Sequence, residues 1–139
     1  MSESVEQSQP PYSLGPLETR VMALLWEHGD LTVRSVHEHL LAEGDDLAYT
    51  TVMTIMVRLA AKGLLSREGK GRQFVYRAVM SLDEFNERAA KSMAGTLLRN
   101  YERLAIASFV EELARVSPSR LQELRELAEQ ASQNDERKN

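Results

Sequence analysis

Three stretches of helical apolar period, followed by two strand-like runs around a glycine-bearing turn, all within about 65 residues, leave few folds open to this chain. Leu14-Gly15-Pro16 opens the first helix, with proline in the first turn, where a missing N–H does no harm. Leu17, Val21, Leu24 and Leu25 form its apolar stripe, Trp26 extends it, and His28-Gly29-Asp30 stops it. Thr32 is placed to cap a second helix from Val33 to about Ala42, with Val36, Leu40 and Leu41 turned inward. Glu43-Gly44-Asp45-Asp46 breaks that pattern, and a third helix runs from about Ala48 to Lys62, closed by Gly63. Leu64 to Glu68 and Gln73 to Arg77 then read as the two strands of a β-hairpin around Gly69-Lys70-Gly71-Arg72. This is the order of a winged helix-turn-helix: two scaffold helices, a reading helix and a hairpin wing.

Past residue 80 the strand signal disappears. Ser81-Leu82-Asp83-Glu84 is a capping box that opens a long helix. Phe85, Ala89, Met93, Leu97, Tyr101 and Leu104 mark one apolar face, and Ile106, Phe109, Val110 and Leu113 mark another. Ser117-Pro118 starts a last helix with Leu121 and Leu124 on its seam. A closed winged domain cannot cover this much added apolar surface, so a second copy of the chain is the expected cover, most simply in a two-fold dimer. The expected organisation is mainly α: a flexible tail at 1–12, a winged-helix domain at 13–80, a helical dimerisation region at 81–129, and a polar, frayed tail at 130–139.

The third helix carries the chemistry. At 100° per residue, Val52, Ile55, Met56 and Leu59 gather on one face, while Thr50, Thr54, Arg58 and Ala61 fall on the opposite face, flanked by Thr51 and Val57. That outer face is short of the Lys and Glu that usually solvate an exposed helix. A narrow, hydroxylated surface ending in arginine suits a DNA major groove. Hydroxyls reach phosphates or base edges there, threonine and valine methyls meet thymine methyls, and arginine pairs with guanine or phosphate. The chain as a whole has a net charge of −4, the wrong sign for a nucleic-acid binder. Residues 58–77, however, hold Arg58, Lys62, Arg67, Lys70, Arg72 and Arg77 against Glu68 alone, a local net of +5. The field that faces phosphates decides non-specific affinity, and the chain total does not. The candidate DNA-binding residues are Tyr49, Thr50, Thr51, Thr54, Arg58, Lys62, Arg67, Lys70 and Arg72.

Other chemistries find little support. The chain has no cysteine, which removes disulfides, thiolate metal sites and cysteine nucleophiles. His37 and His39 are two apart and point in different directions on a helix, so they read as solvated side chains and not as metal ligands. No phosphate-binding glycine loop or nucleophile elbow is present, and no enzyme, metal or cofactor is expected. With no apolar run long enough to span a bilayer, no membrane insertion is expected and a cytoplasmic location fits.

The sequence resembles the penicillinase-repressor family of the BlaI/MecI type. The match lies in Leu14-Gly15-Pro16-Leu17-Glu18 with Val21-Met22 and Trp26, in Leu31-Thr32-Val33, and most specifically in Ala48-Tyr49-Thr50-Thr51-Val52 with Arg58-Leu59 and Lys62-Gly63-Leu64. Arg72, Phe74-Val75-Tyr76 and the Glu123-Leu124 region also fit, so the resemblance runs over roughly residues 13–129. It implies a dimeric repressor of β-lactamase or related resistance genes, bound to dyad operators of the TACA/TGTA kind. It also implies relief of repression when a membrane sensor protease, responding to β-lactam, cuts the C-terminal helices. The family's cut falls typically at Asn-Phe, and the aligned position here reads Ser108-Phe109. A related copper-responsive branch carries a C-terminal cysteine motif that this chain lacks. Two other readings are a winged-helix regulator released by a small ligand at the dimer interface and a protein–protein adaptor that does not bind DNA.

Overall fold

In the computed structural model, which describes residues 12–70 and 73–138, each element begins where a cap or turn dictates. Helix α1 (Pro16–His28) starts behind Gly15, whose N–H donates to the Glu18 carboxylate at 3.3 Å. A short strand, β1 (Leu31–Thr32), leads into α2 (Val33–Ala42), where Ser35 N–H donates to the Thr32 side chain at 3.1 Å as the sequence led us to expect. Helix α3 (Tyr49–Ala61) ends at Gly63, whose φ of +82° places it in the left-handed region. There Gly63 N–H donates to Ala60 C=O and Leu64 N–H to Leu59 C=O, both at 3.0 Å, the paired bonds of a Schellman close.

Strands β2 (Leu65–Glu68) and β3 (Val75–Ala78) form the wing, with Leu65 opposite Ala78 and Glu68 opposite Val75. β1 adds to the far edge of β3, giving a three-stranded antiparallel sheet of order β1-β3-β2. Two residues of strand lie below the length at which alternation is visible, and β1 was not foreseen. At the wing tip Gly69 has φ +121°, and a Cβ there would come 2.7 Å from the Gln73 carbonyl oxygen, so the turn is open to glycine alone.

The core of this unit combines Val21, Met22, Leu24 and Leu25 of α1 with Val36 and Leu40 of α2. It is completed by Val52, Ile55, Met56 and Leu59 of α3, by Leu64, Leu65 and Tyr76 around the sheet, and by Phe85. Leu41, expected inside, is exposed. Neither His37 nor His39 is simply solvated. His37 Nε2–H donates to the Leu47 carbonyl at 2.7 Å and holds the turn into α3, while His39 stacks on His28 with ring centroids 4.3 Å apart. Arg20 of α1 reaches the same turn, pairing with Glu43 at 2.8 Å and with Asp45.

Three further helices follow: α4 (Leu82–Tyr101), α5 (Arg103–Val116) and α6 (Arg120–Lys138). Ser81 caps α4 by accepting from Glu84 N–H at 3.1 Å. The described residues fall into two compact units that meet at Ser92 and Met93, not at residue 80. The reason is an aromatic knot. Phe85 is only 8% exposed and packs against Trp26, with ring centroids 5.2 Å apart, and edge-on against Tyr12 at 5.8 Å. Trp26 Nε1–H donates to the Met80 carbonyl at 3.0 Å, and Ala89 joins the same cluster. Phe85 therefore belongs to the first unit's own core and Ala89 packs, half-buried, against it, which corrects the dimer face to which sequence spacing assigned them.

In the second unit the long apolar face breaks. Glu102 takes φ +41° between α4 and α5, so Leu104 sits on a different helix from Tyr101. No glycine or proline marks that break in the sequence. α5 packs on α6, leaving Leu113, Leu121 and Leu124 half-buried. Met93, Leu97, Tyr101, Leu104, Ile106, Phe109 and Val110 are exposed, Leu104 at 70%. α6 continues as helix across residues 130–138, where fraying was expected, its last turns built of residues with no proline or glycine to stop them. The expected N-terminal tail lies, up to Pro11, outside the described residues.

One ion pair ties the end of α3 back to the start of α1. Lys62 Nζ donates to Glu18 Oε2 at 2.8 Å, with the two side chains 22% and 12% exposed, and it also approaches the Ser13 carbonyl at 3.5 Å. Burial pushes the Glu18 carboxyl up. The Lys62 hydrogen bond, the Gly15 N–H and the charges of Lys62 and Arg58 outweigh that effect and hold it below its ordinary value of 4.5.

Two measurements check this account. Phe85→Ala should destabilise the winged unit by about 3 kcal/mol in chemical denaturation; a loss well under 1 kcal/mol would take Phe85 out of the core. Glu18→Gln should cost about 1.5–3 kcal/mol at neutral pH, as for a hydrogen bond to a charged partner. Because the folded carboxyl titrates low, its contribution is complete above pH 4.5 and fades as pH falls through the folded value. Wild type and Glu18→Gln should therefore converge in stability on acidification, and a gap that persists at low pH would contradict the assignment.

Candidate nucleic-acid interface

The rotation of α3 decides which side chains face outward. Val52, Met56 and Leu59 are fully buried and Ile55 nearly so, which turns Tyr49, Thr50, Thr51, Thr54 and Arg58 to the surface. Thr54 donates its hydroxyl to the Thr50 carbonyl at 2.9 Å, the usual back-bond one helical turn away. Its hydrogen is thereby engaged, so Thr54 presents an acceptor oxygen and a methyl outward. Tyr49 meets the His37 ring edge-on at 5.9 Å, and this contact fixes the first turn of the helix.

The basic segment divides in two. Arg67 stands on β2 with its guanidinium 4.6 Å above the centre of the Phe74 ring, a cation–π contact that pre-sets its direction. Lys70 is exposed at the wing tip and Arg58 on the outer face of α3. Lys62, by contrast, is turned inward onto Glu18, and its expected phosphate contact is corrected on that ground: breaking a largely buried pair would offset what a phosphate could add. Arg77, also counted in the basic run, makes a two-point pair with Asp30, from Nε to Oδ1 at 3.1 Å and from Nη2 to Oδ2 at 2.8 Å. The Arg77 hydrogen bond holds the Asp30 carboxyl below its ordinary range. Arg72 lies outside the described residues.

One further surface residue of α3, Met53, escaped the sequence reading. Met53 and Val57 are 41% and 44% exposed and, with Tyr49, line one wall of a groove of about 1,200 Å³ between α2, α3 and the sheet. Val57 is exposed, as expected of a residue on the flank of the outer face, whereas Met53 was assigned to neither face. Among the described residues no cluster of three or more His, Asp or Glu is arranged to hold a metal ion. Among the same residues no helix is long and apolar enough to cross a membrane.

The chain is 49% identical over 72 residues to the "Transcriptional regulator BlaI" of Mycobacterium tuberculosis, and the match spans 51% of each chain, so it covers about half of that relative's length. It is 30% identical over 95 residues to an uncharacterized 16.5 kDa protein of Latilactobacillus sakei, covering 68% of this chain and 64% of that protein. A MarR family protein from Bacillus stearothermophilus has a similar solved structure at 20% identity and a TM-score of 0.44, with 84% of this chain and 80% of that one covered. The family model described as "Penicillinase repressor" matches residues 14–130, nearly the whole chain. The chain belongs to the penicillinase repressor family.

Proposed function

We propose that this protein is a cytoplasmic, sequence-specific DNA-binding repressor that acts as a two-fold dimer on dyad operators of the TACA/TGTA kind upstream of β-lactamase or related resistance genes. The observation that carries the reading is the outer face of α3, hydroxylated and without acidic side chains, beside a wing that presents Arg67 and Lys70. Tyr49, Thr50, Thr51, Thr54 and Arg58 enter the major groove, and Arg67 and Lys70 hold phosphates. Arg58 and Thr54 carry base preference, while the wing supplies affinity that is indifferent to sequence. The second unit supports the dimer, because Met93, Leu97, Tyr101, Leu104 and Phe109 offer an apolar surface that its own helices leave exposed.

Binding of the purified protein to its own upstream DNA, measured over a range of salt, tests the reading. Each phosphate contact adds about 0.9 to the log–log slope, so Lys70→Ala in both copies of a dimer should flatten the slope by about 1.8 and leave sequence preference unchanged. Arg58→Ala should instead lower the operator-to-random ratio, by about 1–3 kcal/mol per base contact, at nearly constant slope. A protein that binds no duplex at low salt would support an adaptor in place of a repressor, and sedimentation as a monomer would overturn the dimer.

We further propose that repression is relieved by proteolysis within the C-terminal helices after β-lactam sensing. Ser108-Phe109 lies inside α5, with Phe109 58% exposed. A protease reads an extended chain, so a cut at this bond by a membrane sensor protease requires α5 to open locally. Cleavage there removes Phe109 from the proposed dimer surface and splits α5, so that Leu104 and Ile106 lose the helix that presents them, and the dimer weakens without any DNA-facing residue being touched. Cells treated with a β-lactam should show a shortened chain by immunoblot and mass spectrometry as transcription rises. Derepression with the full-length chain intact would rule out the proteolytic route.

A further inference from the structure

The groove beside α3 is unusual for a surface that faces DNA. Tyr49, Met53 and Val57 recur every four residues along one stripe of α3, next to the stripe that carries Thr50 and Thr54. The groove is also lined by Leu41 of α2 and by Phe74 and Val75 at the tip end of the wing, so its walls are largely apolar although open to solvent. Met53 and Val57 have no hydrogen-bonding group to offer a base edge or a phosphate. Arg67, held over the Phe74 ring, stands on the wing side, and on the α2 side Arg34 stands paired at 3.2 Å with Glu38, which also lines the groove. An apolar trough bordered by Arg67 on one side and by the Arg34–Glu38 pair on the other, net positive and continuous with the reading face, fits a polyanion that also carries an apolar group. In the major groove of DNA the base-edge group of that kind is the 5-methyl of thymine.

We infer that this groove reads thymine 5-methyl groups, with Met53 and Val57 as the reading side chains. The inference rests on the proposed DNA reading and adds to it a specificity that hydrogen bonds do not supply. Arg58 and Thr54 discriminate by donor and acceptor pattern. Met53 and Val57 discriminate by shape, accepting a base that carries a methyl and leaving a void opposite one that lacks it. Arg34 and Arg67 hold the flanking phosphates, so that the methyl is pressed onto the apolar wall and water is excluded.

The probe is the tightest-binding duplex selected from a random pool, remade with deoxyuridine in place of thymidine at one position at a time. That exchange removes the methyl and keeps every hydrogen-bonding group of the base. Wild type should lose about two- to fourfold in affinity at each contacted thymine, the worth of desolvating one methyl. Met53→Ala and Val57→Ala should each abolish the difference at their own positions, with the salt slope unchanged. Val57→Thr, which keeps one methyl at nearly the same volume, should retain part of it. Equal affinity for thymidine and deoxyuridine duplexes at every position, with sequence-preferred binding intact, would overturn the inference and leave the repressor reading standing. Failure to prefer any duplex from the pool would overturn both. A change in sedimentation of DNA-free Met53→Ala would assign the groove to a second copy of the chain and also overturn it.

Discussion

The rotation of α3 about its own axis governs the site. Four side chains, Val52, Ile55, Met56 and Leu59, set that rotation by entering the core between α1, α2 and the sheet. Each buried side chain of this size contributes roughly 1.5–3 kcal/mol, so turning the helix by even one residue would expose several kilocalories of apolar surface. The outward face is therefore not selected by its own interactions. It is whatever the inward face leaves over, and its content can change without changing the fold. This separation lets Thr50, Thr54, Met53 and Val57 serve recognition on a helix whose position they do not determine.

Charge is divided on the same principle. The basic run at 58–77 looks uniform in sequence, yet the structure assigns its members different work. Lys62 and Arg77 close ion pairs with Glu18 and Asp30, one joining the end of α3 to α1 and the other joining β3 to the turn after α1. Arg67 rests on Phe74, and Arg58 and Lys70 face solvent. The field toward a ligand is thus weaker than the local net charge implies, and more of it is directional. A point charge on a long flexible stem loses entropy when it meets a phosphate, whereas a guanidinium already lying on an aromatic ring has lost part of that freedom beforehand.

Much of the winged unit is legible in the sequence because its signals are local and redundant. Apolar period, the Thr32 and Ser81 caps, Gly63 and the Gly69 turn each point to the same boundaries. What escaped depends on contacts distant in sequence. β1 is two residues held by pairing with Val75 and Tyr76, more than forty positions away. Phe85 has the spacing of an interface residue and is claimed by Trp26 and Tyr12, which no periodicity reveals. Lys62 reads as a helix-end cation until Glu18 is found beside it. Leu41 was taken as inward because it is apolar, and with Met53, which was assigned to no face, it lines an open groove. Of the candidate site, the threonine face and the wing arginine could be read directly. Val57 could be read as well, from its place on the flank of that face, but Met53 could not, because the sequence alone does not distinguish a hydrophobe placed for packing from one placed for recognition.

The second unit poses the opposite problem. Its helices have clear apolar faces, and α5 against α6 leaves even their inward residues half-exposed. Burial of the first unit is carried by its own chain, with Phe85 drawn in to complete it. In the second unit Leu104, Ile106 and Phe109 are left open, and a helical segment of this length gains little stability without a covered face. In the proposed dimer, stability of this unit and association of two chains are one equilibrium, dependent on protein concentration and on an intact α5. A single cut in α5 then acts on assembly and on local folding together, and the winged unit, whose core lies elsewhere, keeps its structure while losing the partner that makes its grip on a dyad strong.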